Sequence, residues 1–593
     1  MDIRVRNNNV KRYVLIGVLT CLHILAYTKT VDLQGKLNEN TNFLAPIILL
    51  FLVPYLLNQF FEMKDKRNIT ISIIGGLLFS FCYVVGMYLH YNNCLPKTVG
   101  EAIFLSLLVL AIAVVCIPVM SIILKNFRKM SIWYEIKQRE QKLKYKTTWV
   151  ILISWMIIFI CWLPTFLTNW PGNFIFDAKY QIQEVLNQSY HTHHPLIHTY
   201  IMGAFYRIGV SIGNVSLGFS FYTLLQMLIL SFAGSAVIGY FYKKNTPKII
   251  CISYLLFYAI VPVHAIFSVT ATKDVLFAAF FLLFMIGIFS WVVDHKEFTY
   301  YQWIGFILSG ILMTLFRNNA IFALLVIAPF FILFSIGKER KRKILLSMIS
   351  IVGGFLLSSF LLGVLLNAYS SDSLKESFSV PIQQIARVAS YRSEDISQEL
   401  YVEIVEYIPE DKIALYNPYI SDPIKNELDE VYLRENVAGF LSLWLKVGMQ
   451  YPEEYVASFM ANTMGFWYPG ETEYAVCEEI ASFHTLIGTE NEIIKYNYGD
   501  IFAPINSFLF ADMNYREIPI LRHFFKPVLY FWIMLLAIMN AIYAKKGRNV
   551  LAMGLLITYF LSVFLGPFST LRYVYCIVVC LPFMVGAIFE TRN

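Results

Sequence analysis

Apolar runs of about 20 residues recur along the whole chain, and they restrict what it can fold into more than any other feature. The stretches 43–61, 69–90, 102–124 and 149–168 carry almost no charge. About 20 residues of helix cross a hydrocarbon core of roughly 30 Å. A helix also satisfies its own backbone hydrogen bonds inside lipid. Of the 593 residues, 58% are hydrophobic and 15% charged, where soluble domains carry about 25% charged residues. The sequence therefore reads as an all-α polytopic membrane protein.

Spans are expected at 12–29, 43–61, 69–90, 102–125, 148–169, 216–241, 248–267, 274–293, 299–316, 319–336, 344–366, 525–545, 549–568 and 573–590, about 14 transmembrane helices. Lys and Arg accumulate on the cytoplasmic side, and the loops 63–67, 125–146, 243–248, 338–343 and 545–548 are all basic. With the N-terminus inside, this count places every one of them in the cytoplasm. The segment 196–213 reads as an amphipathic helix on the outer surface. Residues 1–12 are basic and lead into an apolar stretch with no obvious cleavage site, so they read as part of a retained first helix. Of nine cysteines, only Cys94 and Cys477 fall outside spans, which excludes a disulfide framework. No CxxC pair suggests a metal site.

The long hydrophilic segment 371–524 holds 25 acidic and 10 basic residues, net −15, against 15 and 37 in the remainder, net +22. The overall +7 thus averages two compartments and gives no reason to expect nucleic acid. The organisation expected is 1–147, four N-terminal helices and a basic loop; 148–366, a transmembrane core with an outer loop at 169–196; 367–524, an extracytoplasmic, mainly helical acidic insert; and 525–593, three C-terminal helices.

Ionisable residues near spans are functional candidates by default, and five groups fall on the outer face. In NWPGNFIFDAKYQIQEVLNQSYHTHHPL (169–196), Asp177 and Gln181 share a helical face, and His193 and His194 close the loop. A carboxylate beside histidines at the interface can act as a general base or help bind a divalent metal. The same pattern also suits a polar interfacial helix with a proline turn. The other four are TATKD (270–274) with Lys273 and Asp274; Arg317 with two asparagines; SVPIQQIAR (379–387) with Gln383, Gln384 and Arg387; and RYVY (572–575) with Arg572. Each cation taken singly fits a snorkelling side chain. Together on one face they form a candidate phosphate clamp, since Arg suits phosphate through forked hydrogen bonds.

The order of an outer Asp, HHP, a later KD and a late RY resembles the GT-C superfamily of membrane glycosyltransferases, such as the protein O-mannosyltransferases and the aminoarabinose transferase of lipid A. The segments FDAKYQ, HHPLIHT, TKDVLF, LFRNNA, SVPIQQIAR and RYVY are similar to an uncharacterised bacterial multipass membrane protein family. The resemblance covers about 150–590. It implies a polyprenyl-phosphate sugar donor, transfer outside the cytoplasm, a catalytic carboxylate at Asp177 and phosphate contacts from the cations. The superfamily often has two acids near the first motif, whereas Ala178 and Lys179 follow Asp177 here. A second acid would be Glu184 or Asp274, and this departure leaves metal dependence open.

The leading expectation is an inverting GT-C-like transferase in the cell membrane, acting on a cell-envelope glycan, lipid or protein. Donor phosphate would be held by some of Lys273, Arg317, Arg387 and Arg572, at least two of them facing one cavity near Asp177. Gln383, Gln384, Trp467 and Tyr468 would lie toward the acceptor. The alternative is a transporter or flippase of lipid-linked glycans, for which charges at the bilayer midplane and broken helices would be the sign.

Overall fold

The computed structural model describes residues 2–33, 44–174, 176–335, 337–369, 374–470 and 503–589, so Cys477 lies outside the described residues. Among these described residues the chain is all-α apart from one pair of two-residue strands, and fourteen α-helices precede the acidic segment. They are α1 (Asp2–Leu33), α2 (Leu44–Phe61), α3 (Lys66–Asn92), α4 (Val99–Glu140), α5 (Thr147–Thr168), α6 (Phe176–Asn187), α7 (Leu196–Ser211), α8 (Val215–Lys243), α9 (Lys248–Ile260), α10 (Pro262–Val269), α11 (Lys273–Ile288), α12 (Tyr300–Phe316), α13 (Ala320–Leu333) and α14 (Lys338–Leu366). Helices Pro527–Tyr543, Gly547–Val563, Leu571–Val579 and Leu581–Phe589 close the chain.

Among the described residues, seven helices are long and apolar enough to cross a membrane, or nine if each of two bent pairs is one span. The bends are 47° between α9 and α10 and 44° between Leu571–Val579 and Leu581–Phe589. Five shorter apolar helices complete the set. Each segment read as a span from the sequence is thus a helix or a bent helix pair. The α9–α10 break follows from Pro262, which cannot donate a backbone hydrogen bond and pushes Val261 out of helical geometry (ψ 121°).

Local chemistry sets the ends. Asp65 caps α3 by accepting from the Arg67 and Asn68 amides at 3.1 and 3.3 Å, and Thr98 caps α4 through the Glu101 amide. Helices α3 and α4 meet where Gly76 lies against Ile117. A Cβ on Gly76 would come within 2.6 Å of it, the small-residue contact that lets membrane helices approach. Asn68 and Ser121 bond across the same seam, Asn68 Nδ2 donating to the Ser121 carbonyl at 3.2 Å. The centre of the bundle is α11, most of whose residues are buried, whereas α14 buries only Ile344, Ser347, Met348 and Ile351 and lies at the edge.

The two ends of the bundle differ in chemistry. At one, the basic loops gather. Tyr543 donates to Asp65 at 2.9 Å, Tyr134 meets Thr246 at 2.9 Å, and Lys244 pairs with Asp294 at 2.6 Å. At the other lie the N-terminus of α11, the C-terminus of α12 and residues 374–470. Residues 374–470 form a helical unit with its own core, including Ile382, Ile385, Leu400, Ile404, Phe440 and Leu443. It is docked, not tethered: the Ser421 amide donates to the Pro567 carbonyl at 2.9 Å, and Asn462 Nδ2 to the Gly566 carbonyl at 3.0 Å. Its last helix, Pro452–Trp467, leaves that core and packs Ala457, Ala461, Met464 and Trp467 against Val84 and Met87 of α3 and Leu105 of α4.

Candidate functional site

The site is assembled by two strands too short for sequence periodicity to reveal. After α5 the chain turns through Gly172 (φ 141°), where a Cβ would collide with Thr223 and only glycine fits. It enters β1 (Asn173–Phe174), which pairs in parallel with β2 (Thr270–Ala271), Asn173 opposite Thr270 and Phe174 opposite Ala271. The pairing sets Asp177, four residues after Asn173, beside Lys273 and Asp274. Polar residues inside α8 hold both strands. Thr223 Oγ1 donates to the Pro171 carbonyl at 2.7 Å, and Gln226 Nε2 donates to the Ser268 and Thr270 carbonyls at 3.0 and 2.8 Å.

Gln226 also ends a buried hydrogen-bond chain that fixes α6. Tyr222 Oη donates to Gln226 Oε1 at 3.0 Å and lies 2.7 Å from His198 Nε2. His198 Nδ1 is 2.8 Å from the Gln181 amide, which is 2.9 Å from Thr199 Oγ1. The Gln181 oxygen accepts from His198 Nδ1, and the Gln181 NH2 donates to Thr199 Oγ1. The His198 proton therefore sits on Nδ1, and its bare Nε2 faces the Tyr222 hydroxyl. The imidazole is neutral. Burial, reinforced by Lys273, pushes His198 down to about 3. Gln181 is therefore a scaffold residue, fully enclosed, and not the substrate contact expected from its helical face.

Asp177 stands in the first turn of α6. Its Oδ2 lies 3.2 Å from Arg572 Nη1 and 3.4 Å from Lys273 Nζ. Arg572 Nε lies 3.6 Å from Asp274 Oδ2, and Arg317 Nη1 donates to Asp274 Oδ1. Charges thus alternate along Lys273, Asp177, Arg572, Asp274 and Arg317. Thr272, the N-cap of α11, donates to Asp274 Oδ2 at 3.2 Å. The Tyr573 ring serves both arginines, with the guanidinium carbons of Arg317 and Arg572 at 4.8 and 5.3 Å from its centre. The side chains of Asp177 and Lys273 are 20% and 18% exposed and that of Asp274 is 1% exposed, so the first two form the mouth.

Burial pushes the Asp177 carboxyl up, but Arg572 and Lys273 outweigh it and hold it well below the ordinary carboxylate range. Burial and Lys273 push His194 down to about 3, leaving it neutral with Nδ1 at 3.4 Å from Lys273 Nζ. Burial raises Glu184 to about 7, against the opposing His191 amide and Lys273. His193 is exposed, its ring 4.6 Å from that of His194. Three cations against two carboxylates leave an excess positive charge, which suits an anionic group at the mouth. Among the described residues no three His, Cys, Asp or Glu side chains group as metal ligands do.

Three of the four expected clamp cations meet here, and Arg387 does not. It is fully buried in the 374–470 unit, where Nε donates to Glu454 Oε2 at 2.8 Å and Nη2 to the Asn93 carbonyl at 2.6 Å. Its charge is spent on joining that unit to α3. Gln383 and Gln384 are structural for the same reason: Gln383 donates to the Asn417 carbonyl, and Gln384 donates to the Tyr455 carbonyl at 3.2 Å while accepting from Trp444 at 2.8 Å. Trp467 and Tyr468 pack on α3 beside Gly86. The unit instead brings Glu376, Asp422 and Lys425 near the cluster. Buried Lys425 pairs with both carboxylates at 2.7 and 2.6 Å. Glu376 and Lys425 influence His193, and Asp422 influences Tyr573.

Sequence reasoning missed Tyr222, Thr223, Gln226 and His198. Their signal was present as polar residues inside an otherwise apolar helix and as the final histidine of HHPLIHT. No curated protein and no solved structure matches the chain. Residues 187–593 match the family of unknown function DUF6020, a stretch that includes His194, Lys273, Asp274, Arg317 and Arg572 and begins ten residues after Asp177. The match covers well over half of the sequence, and the chain belongs to the DUF6020 family.

Proposed function

We infer that the cluster is the reaction centre of a GT-C-type membrane glycosyltransferase. It moves a sugar from a polyprenyl-phosphate donor to an extracytoplasmic glycan, lipid or protein, with inversion at the anomeric carbon. The observation that carries this reading is a carboxylate held at the mouth of a cation-rich cluster, at the end of the bundle away from the basic loops. The fourteen helical segments are read as fourteen crossings of a bacterial cytoplasmic membrane, with both termini and the basic loops inside and the cluster outside.

In this mechanism donor phosphate draws Lys273 and Arg572 away from Asp177. Losing its counter-charges raises the carboxyl from its depressed resting value toward one that can accept a proton. The acceptor hydroxyl attacks the anomeric carbon, its proton passes to Asp177, and the bond from that carbon to the phosphate oxygen breaks. Polyprenyl phosphate leaves with its new negative charge held by Lys273, Arg572 and Arg317. A divalent metal fits this scheme only beside Asp177, since Asp274 already neutralises two guanidiniums.

Transport of a lipid-linked glycan has one observation in its favour. Both bent helix pairs meet at a buried polar contact, His264 Nδ1 with Tyr575 Oη at 3.0 Å, and broken helices are a transporter feature. The contact is closed by Phe267 stacked 3.9 Å from Tyr575 and contains no cation, unlike the cluster at the mouth. The discriminating experiment gives the full chain, in sealed lipid vesicles, a radiolabelled polyprenyl-phosphate sugar and a mixture of envelope acceptors. Label appearing in acceptor with release of polyprenyl phosphate supports transfer. Movement of intact donor between leaflets without cleavage overturns it.

A further inference from the structure

A second site lies beyond the opposite end of α11, whose 16 residues span about 24 Å at 1.5 Å per residue. There the π-helical turn Phe289–Val293, α13, α14 and the helices Pro527–Tyr543 and Gly547–Val563 enclose a cavity of about 1040 Å3. It is as large as the biggest small-molecule pockets, roughly 300–1,000 Å3. Its lining divides in two. One half is cationic, with Arg340, Lys545, Lys546 and Arg548. The other is apolar, with Ile327, Phe330, Phe334, Ile344 and Ile557. Phe330 and Phe334 are 47% and 68% exposed on the outer face of α13, so the apolar half opens sideways.

Two cations beside the cavity have carboxylate partners, Lys343 with Glu297 at 3.2 Å and Lys244 with Asp294 at 2.6 Å. Among the described residues, Arg340, Lys545 and Arg548, which line it, form no ion pair with a carboxylate. Arg340 is instead held in place by neutral groups. Its Nη2 donates to the Trp291 carbonyl at 2.8 Å and its Nη1 to His295 Nδ1 at 2.6 Å. A guanidinium only donates, so the His295 proton must be on Nε2. That atom is buried and has no hydrogen-bond partner. The first turn of Gly547–Val563 also lines the cavity, adding the positive end of a helix dipole.

A cationic pole fused to an apolar slot open to the side matches an amphiphile, not a soluble anion or a neutral lipid. We propose that this cavity binds one anionic glycerophospholipid, its phosphodiester among Arg340, Lys545 and Arg548 and an acyl chain along Phe330 and Phe334. The basic loops gather at this end, and membrane surfaces that carry anionic lipid attract such segments. The site is independent of the chemistry at Asp177.

The test uses the full chain in neutral detergent and native mass spectrometry with dioleoyl phosphatidylglycerol. One lipid should bind per chain. Lys545→Gln with Arg548→Gln should weaken binding about 30-fold, taking roughly 1 kcal/mol per basic residue near the headgroup, while the lipid-free thermal midpoint stays unchanged. Phe330→Ala with Phe334→Ala should weaken it through the acyl chain alone. Equal binding of dioleoyl phosphatidylcholine, displacement by millimolar inorganic phosphate, tighter binding of a polyprenyl phosphate, or unchanged affinity in the Lys545/Arg548 double variant each overturns the proposal.

Discussion

Replacing Asp177 by Asn separates the proposed chemistry from architecture, because the two predict opposite effects on anion affinity. The carboxylate lies 3.4 Å from Lys273 and 3.2 Å from Arg572. At an effective dielectric constant of about 20, each contact has a Coulomb energy of about 5 kcal/mol. Desolvation and side-chain ordering offset most of it, as in measured pairs. With Asp177 20% exposed, the expected stability cost of Asn lies between exposed and buried pairs, about 1–3 kcal/mol. The protein should stay folded, since Gln181 and His198 anchor α6 independently of the carboxylate. A phosphate entering the site no longer competes with Asp177 for two cations. Recovering even 1.4 kcal/mol of that competition tightens product binding about tenfold. Transfer, in contrast, should fall about 100- to 10,000-fold with loss of the base. The assay pairs turnover of a labelled polyprenyl-phosphate sugar with equilibrium binding of the polyprenyl phosphate product. Near-normal turnover removes Asp177 from the mechanism, and weaker product binding refutes the competition between carboxylate and phosphate.

Arg387→Met should destabilise the fold by about 1–3 kcal/mol, read as a lower thermal midpoint, because buried Glu454 loses one of its two guanidinium partners and keeps Arg392 at 2.9 Å, while donor affinity per folded molecule stays constant; a changed affinity would return Arg387 to the site. Gln226→Leu should free the 268–271 segment from α8, so hydrogen exchange would rise at 270–271 and turnover would drop; unchanged protection there contradicts the anchor. Glu184 is raised to about 7 in the folded chain from the usual carboxyl range near 4.3, so its contribution to stability is complete below pH 4 and lost as pH rises through 7. Glu184→Gln should therefore flatten the fall in thermal midpoint between pH 5 and 8, and an unaltered slope would show that the carboxyl is solvated.

The helical segments were legible because lipid demands a run of apolar residues of nearly fixed length, and the sequence states such runs directly. The basic loops were legible for the same reason, and the structure gathers them at one end. Contacts between distant segments were not. The β1–β2 pair involves two residues a side, below any detectable alternation, yet it is what places Asp177 against Lys273. Arg387 shows the converse error. A cation in an acidic, hydrophilic segment read as available, but its partner Glu454 is 67 residues on and the carbonyl it also binds belongs to Asn93. Gln383 and Gln384 misled in the same way, since a buried amide bonded to backbone looks in sequence like one waiting for substrate. Gln226, in contrast, could be suspected, because an amide within an apolar span must find partners.

The alternation of charge explains how three cations remain together without a ligand, and it assigns the two carboxylates different work. Asp274 is enclosed, capped by Thr272, and shared between Arg317 and Arg572. Withdrawing it would leave both guanidiniums facing each other across Tyr573, so no incoming anion gains by displacing it. Asp177 sits at the mouth, on a separate short helix, against the outermost cation. It can give way to a phosphate while the Arg317–Asp274–Arg572 part of the ladder stays assembled. A site whose only task was to hold phosphate would gain affinity by lacking Asp177 altogether. Keeping a competing carboxylate where the anion must enter weakens ground-state binding, and that loss is useful only if the carboxylate acts once it is displaced. A transport site gains nothing from such a group after its substrate has bound, and this asymmetry is the physical reason for preferring transfer.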